Sequence, residues 1–284
     1  MTDRLIHSER EAKRLRAPLL VILSMAVLGA VAVLAVFGRR LAPQNPRAQD
    51  LQVGVSSPGS EHWLGTDDLG RDIFSRLIDG AGPALLGPAC VALGTTAIGV
   101  ALGLVAAYYS GRVDALISRT ADLLYALPSL LIAIVVVGLV SGSYWLTVAV
   151  LIVLMFPSAV RVCRSATLAQ AHLPYVDAAR TLGLPDRVVM ARHILPNIAP
   201  TVIATMLLDF VAALVGFSSL AFLGLGVEPG GSAWGTILSD GQKLIFTNPA
   251  MSIAPALLLV LVAASTTIAG DWLYDQRSMR GADR

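Results

Sequence analysis

Six apolar stretches separated by polar segments dominate this chain. Pro18–Phe37 carries no charge, and comparable runs follow at roughly Pro83–Tyr109, Ala121–Val140, Trp145–Val162, Ile198–Phe222 and Met251–Tyr274. A helix needs about 20 residues, and no fewer than about 17, to cross the hydrocarbon core of a bilayer, and every run reaches that length. The first run exceeds the about 7–15 apolar residues of a secretory leader, and Gly38-Arg39-Arg40 follows it where a small-residue cleavage site would stand. It is expected to persist as the first membrane helix. Pro88, Pro128 and Pro157 fall inside predicted spans, which a bundle tolerates where neighbouring helices or water satisfy the freed carbonyls. The pattern predicts an all-α integral membrane protein with six transmembrane helices. A polar segment, 1–17, precedes a single membrane domain over 18–284. Outer loops are expected at about 38–82 and 223–250, and an inner loop at about 164–197.

Composition agrees. Of the 284 residues, 55% are hydrophobic and 14% charged, against about 25% charged in soluble domains. Six crossings put both termini on one side, and the basic residues say which. Fifteen of the 21 lysines and arginines lie in segments sharing a side with the N-terminus, among them Arg4, Arg112, Arg119, Arg161, Arg164, Arg180, Arg187, Arg192 and Arg277. That bias assigns the side to the cytoplasm. The two cysteines, Cys90 and Cys163, sit in or beside apolar spans and suggest neither a disulfide framework nor a zinc site.

The longest interior run that lipid would reject is 174–196. Tyr175, Ala178, Ala179 and Leu182 recur at helical spacing and predict one face of a short helix, with Asp177, Arg180 and Thr181 off the stripe. Gly183 follows, where a left-handed helix end costs glycine nothing. Pro185 suits the first turn of a second helix, which Pro196 is expected to end. A small-residue stripe on a short exposed helix fits a groove on another protein.

Asp177-Ala-Ala-x3-Gly183-x11-Leu195-Pro196 resembles the EAA loop of the membrane subunits of bacterial ABC importers. Asp177 replaces the family's leading Glu, with the charge kept and the reach one methylene shorter. Arg192-His193-Ile-Leu195-Pro196-Asn197 is most similar to the dipeptide/oligopeptide/nickel branch, and within it to the C-type subunit. The resemblance implies the type I ABC importer permease fold (MetI-like). It also implies that Tyr175, Asp177, Ala178, Ala179, Gly183, His193, Leu195 and Pro196 couple the chain to an ATPase subunit.

In the first outer loop, Thr66 or Asp67 is expected to cap a helix whose apolar face is Ile73, Phe74, Leu77 and Ile78. Asp67, Asp68 and Asp72 with His62 could be read as a metal site, but the alternating acids, glycine and distal Glu of a calcium loop are absent, and no metal is expected. Leu64-Gly65-Thr66-Asp67-x-x-Gly70-Arg71-Asp72 also resembles the signature of the C-type permeases. The second outer loop, Phe222-Leu-Gly224-Leu-Gly226 to Trp234-Gly235, lacks the Gly-Lys-Ser/Thr of a phosphate cradle. By resemblance, Asp67, Gly70, Arg71, Asp72, Gly224, Gly226 and Trp234 belong to loops at an outer gate facing a delivery protein.

Asp209 stands about midway along the fifth span, where a carboxylate is costly. It could line a substrate path, cap a helix break or pair with a partner subunit. A self-sufficient membrane protein is the alternative reading, either a secondary transporter or an intramembrane protease using Asp209 with Asp271. The protease needs two carboxylates sharing a proton, and the span assignment separates them. The transporter is disfavoured by the lack of an internal repeat. No Walker A sequence is present, so the chain is expected to carry no ATPase site and no cofactor of its own.

What the resemblance implies is an assembly in the bacterial cytoplasmic membrane, with both termini of this chain cytoplasmic. The partners would be a second, B-type permease subunit, two ABC ATPase subunits holding ATP and Mg, an extracytoplasmic substrate-binding protein and the lipid bilayer, with no nucleic acid. Short peptides are the implied cargo, and nickel, haem and other small solutes also occur in this family.

Overall fold

The computed structural model describes residues 2–140, 143–228 and 230–282, with side chains from Leu19 to Gln276. The basic side chains of segment 1–17 and Arg277, Arg280 and Arg284 lie outside the described residues. Ten helices follow in order: α1 Thr2–Leu41, α2 Ile73–Tyr109, α3 Gly111–Tyr125, α4 Ser129–Leu139, α5 Tyr144–Ala171, α6 Pro174–Thr181, α7 Asp186–Val188, α8 Leu195–Phe222, α9 Trp234–Gln242 and α10 Ala250–Ala282. A π-helical turn, Val189–Ile194, joins α7 to α8. Extended pairing among the described residues is limited to one bridge, Thr66 with Asp72.

Among the described residues, five helices are long and apolar enough to span a membrane, and the bent pair α3 and α4 makes a sixth candidate. The continuous span expected over Ala121–Val140 is broken. The chain turns by 76° between Tyr125 and Ser129, because Pro128 cannot donate to the ladder and disfavours helix at Leu127 before it. The eleven residues of α4 rise only about 17 Å, roughly half the hydrocarbon thickness. Contacts at its ends still make the pair one traverse. Asp114 on α3 pairs with Arg164 near the far end of α5, at 2.5 and 2.6 Å. Tyr144, at the start of α5, donates to the Pro83 carbonyl near the start of α2 at 2.7 Å.

Three apolar layers stack along α2 and α8. At one end Val31, Ile73, Leu77, Leu214, Trp234, Ile237, Met251 and Val262 gather α1, α2, α8, α9 and α10. In the middle, Val91, Ala133, Val148, Leu151 and Phe217 bring α4 and α5 in. At the other end Leu104, Val176, Ala179, Val189, Ile194 and Ile198 bind α6 and the π turn to α2 and α8. The α2–α5 seam is close because Gly99 and Gly103 face Ala159 and Cys163, where an added Cβ would meet a heavy atom at 2.5 or 2.7 Å. Small residues four apart permit this approach between membrane helices. Cys90 and Cys163 are free thiols.

Candidate functional site

Two polar constructions cap the bundle, one at each end of α2. The first is the α6 turn. Pro174 opens α6 in its first turn, where its missing N–H costs nothing. Gly183 closes it at φ +75°. Its N–H bonds the Arg180 carbonyl at 2.9 Å, and the Leu184 N–H bonds the Ala179 carbonyl at 3.3 Å. This is a Schellman end, completed by apolar packing of Leu184 over Ala179. Gly224 repeats the device at the end of α8, with Leu225 bonding the Leu220 carbonyl at 2.8 Å.

The helix forms where the sequence puts it, but its faces divide differently. Ala179 is buried with Val176 against Leu104. Asp177, Ala178, Thr181 and Leu182 point outward, with Leu182 at 81% exposure. The expected single stripe of Tyr175, Ala178, Ala179 and Leu182 is therefore split, because the subunit's own core claims Ala179. What remains for a partner is a ridge of Ala178 and Leu182 flanked by Asp177 and Thr181.

Pro196 does not end a second helix. It stands in the first turn of α8, and the π turn just before it takes up the strain of the missing donor. Leu195 is half-buried, and Pro196 is exposed. His193 lies in the π turn; its carbonyl accepts from Asn197 Nδ2 at 2.6 Å, and its Nδ1 is buried without a partner among the described residues. Tyr175 reaches both neighbours, donating to Gln170 of α5 at 2.9 Å and accepting from Asn197 of α8 at 3.2 Å. Burial holds its phenol above the usual tyrosine range, so the proton stays on the oxygen for that donation.

The second construction joins the loop before α2 to the segment around α9. Asp67 is fully buried and accepts from Arg71 Nε at 2.6 Å and Arg76 Nη1 at 2.5 Å. Arg76, with no exposed side-chain surface, also donates to Asp240 of α9 at 3.0 Å. Arg71 lies 3.6 Å from Asp240. Two guanidinium groups and two carboxylates thus balance in a largely dry site, the arrangement a buried charge requires. The cap of α2 is Asp72, not Thr66 or Asp67, and it accepts from Ser75 N at 2.8 Å. Thr66 instead pins its own loop through Gly54 and Ser56. Asp72 also meets His62 at 3.0 Å.

Trp234 is buried and donates to the Leu77 carbonyl at 2.9 Å. Gly70 faces the Asp50 carbonyl, and Gly226 faces Thr147, each too closely for a side chain. Of the glycines singled out by resemblance, Gly70 and Gly226 are thus buried in the scaffold, while Gly224 is exposed with open space around it. Asp67, Arg71, Asp72 and Trp234 present little surface to anything outside.

Asp209 is 8% exposed, and its Oδ2 has no partner among the described residues. Since α8 runs unbroken from Leu195 to Phe222, Asp209 caps no helix break. Asp271 on α10 is exposed, and no hydrogen bond or ion pair joins the two. Sequence reading missed Arg76 and Asp240, which lie 164 positions apart, and Tyr108 and Asp186, which lie 78 apart. Only the Gly99-x3-Gly103 spacing left a local signal.

Residues 99–278 match the family described as "Binding-protein-dependent transport system inner membrane component". The chain is 35% identical to the glutathione transport system permease protein GsiD of Pectobacterium atrosepticum, over 77% of this chain and 72% of that one. It is 32% identical to the dipeptide transport system permease protein DppC of Alkalihalophilus pseudofirmus, over 94% and 88%. Among solved structures, it is similar in fold to a chain of the MetNI methionine ABC transporter in an inward facing conformation, at a TM-score of 0.58 and 17% identity. That match covers 70% of this chain and 95% of the other.

Proposed function

The chain belongs to the binding-protein-dependent transport system inner membrane component family, and we propose that it is the C-type permease subunit of an importer of short peptides. It is a multi-pass protein of the inner membrane and a permease component of an ABC importer, working with ATPase and binding-protein partners. The finer composition follows the sequence reading. A B-type permease subunit supplies the other half of the path, two ATPase subunits hold ATP and Mg, and an extracytoplasmic protein delivers cargo. The peptide assignment is supported by relatives that carry dipeptide and glutathione in their names.

The observation that carries this reading is the α6 turn. A ridge is left free on its outer side while its inner side is fastened to α2, α5 and α8. Such a unit turns a push from below into movement of three membrane helices. ATP-driven closure of the ATPase pair draws the turns together and opens the path outward, and hydrolysis resets it. Asp209, buried and unpaired, is a group that this movement could expose to cargo.

Co-expressed with its neighbours and reconstituted with a loaded binding protein, the complex should take up labelled di- or tripeptide only with ATP, and unlabelled peptide should compete. Uptake of nickel or haem in place of peptide would reassign the cargo and leave the permease reading standing.

Orientation has its own check. With Cys90 and Cys163 replaced, a single cysteine at Ser60 should react with an impermeant thiol reagent in intact cells. One at Arg187 should react only after permeabilisation. Labelling at 187 in intact cells would reverse the topology.

A further inference from the structure

Tyr108 is the second-last residue of α2, and its phenol closes the α6 turn from beneath. Its hydroxyl donates to Asp186 Oδ1 at 2.8 Å, in the first turn of α7. The same oxygen accepts from Arg180 Nε at 3.3 Å, in the last turn of α6. The Arg180 guanidinium also lies over the ring, 4.6 Å from its centroid. One hydroxyl serves as donor and acceptor at once, which is the full use of a phenol. The two residues it holds flank Gly183 on either side.

We infer that Tyr108 is a positioning residue that ties both arms of the α6–α7 turn to the end of α2, so that the turn and this helix move as one body. The inference rests on the reading of α6 as the coupling element and names where its movement enters the bundle.

The apolar layer beneath, Leu104 with Val176, Ala179 and Val189, holds α6 against α2 but sets no direction, since burial is non-directional. The clasp is exposed, and exposed ion pairs and hydrogen bonds add little to stability. Its contribution is angular. With the clasp gone, α6 could pivot on its greasy footing, and a push on Ala178 and Leu182 would be spent in rotation.

Tyr108→Phe keeps the ring and its contact with Arg180 but loses both hydrogen bonds. In the reconstituted complex, this variant should retain its ATPase subunits and its thermal stability. Transported peptide per ATP hydrolysed should fall about three- to tenfold, inside the roughly two- to thirtyfold span of effects along coupling routes. Asp186→Ala removes the Tyr108–Asp186 bond and leaves that of Arg180, so its ratio should fall by no more than that of Tyr108→Phe; the double variant should match Tyr108→Phe, in which the bond to Asp186 is already lost. Asp186→Asn, which keeps an acceptor, should restore most of the ratio.

An unchanged ratio in Tyr108→Phe, or additive losses in the double variant, would overturn the inference. Ala178→Glu serves as the reference. If it uncouples while Tyr108→Phe does not, only the clasp is wrong; if neither uncouples, the reading of α6 falls with it.

Discussion

Asp67→Ala should cripple assembly of the Trp234 end of the bundle more than any other single charge removal. The substitution leaves Arg71 and Arg76 facing each other with only Asp240 between them, and Arg76 has no route to water. Removing one partner from a buried ion network costs about 3–5 kcal/mol, because the surviving charge stays desolvated. Asp240 is 38% exposed, so Asp240→Ala lets water reach the guanidinium groups and should cost far less. The pair is compared by thermal unfolding of detergent-purified protein, followed by the retained monodisperse fraction. Equal melting behaviour for the two variants would show that the network does not fasten the loops. Since the quartet ties the loop before α2 to α9, its loss should also release Trp234 from Leu77. Tryptophan emission would then shift to the red.

At the other end, Ala178→Glu should abolish coupling while leaving the subunit folded. Ala178 is exposed on the outer ridge of α6, so the carboxylate meets no core of its own chain. Docked into a cleft beside Asp177, which has Arg180 as its partner, it would be an unpaired charge at a dry interface, at several kcal/mol. A loss of about 3 kcal/mol weakens an interface roughly 150-fold. ATP hydrolysis is measured with and without loaded binding protein, alongside peptide uptake. Persistence of both stimulation and uptake would remove α6 from the coupling role. The neighbouring Ala179→Glu supplies the contrast, for it drives a charge into the layer of Val176 and Leu104 and should unfold the turn itself. Gly183→Val acts by a third route. Nothing lies within 4 Å of an added Cβ, so its cost is wholly that of φ +75°, about 1–2 kcal/mol and more for a branched side chain.

Local patterns were legible and distant pairings were not. Helix α6 and the left-handed Gly183 could be read because a Schellman end involves only six consecutive residues, 179–184. The six traverses could be read because hydrocarbon thickness imposes a length on each. The inner face of α6 could not, since Ala178 and Ala179 are the same residue type and only Leu104, some 75 positions earlier, decides which is buried. The cap of α2 was expected at Thr66 or Asp67 because its start is not marked locally; a cap directly precedes the first helical residue, so a start at Ile73 selects Asp72 and leaves Asp67 to Arg71 and Arg76. The break at Pro128 and the passage through Pro196 show that a proline announces a disturbance in a helix and not its outcome. In one case the chain turned by 76°; in the other a wider turn absorbed it.

That wider turn fixes a phase. Each α-helical residue advances about 100° around the axis, so azimuths along α8 are inherited from wherever the helix is anchored. The anchor is Ile194, locked beside Val189 and Ile198, and the π turn holds one residue more per turn than the α-helix it interrupts. Asp209 therefore faces the protein interior and not lipid by virtue of spacing set fifteen positions earlier. Insertions between Ile194 and Asp209 are quantised: one residue swings the carboxylate about a quarter-turn, two nearly reverse it, four bring it back to within about 40° and seven to within about 20°. The first half of α8 is in this sense a gauge, and its length is as constrained as any buried side chain.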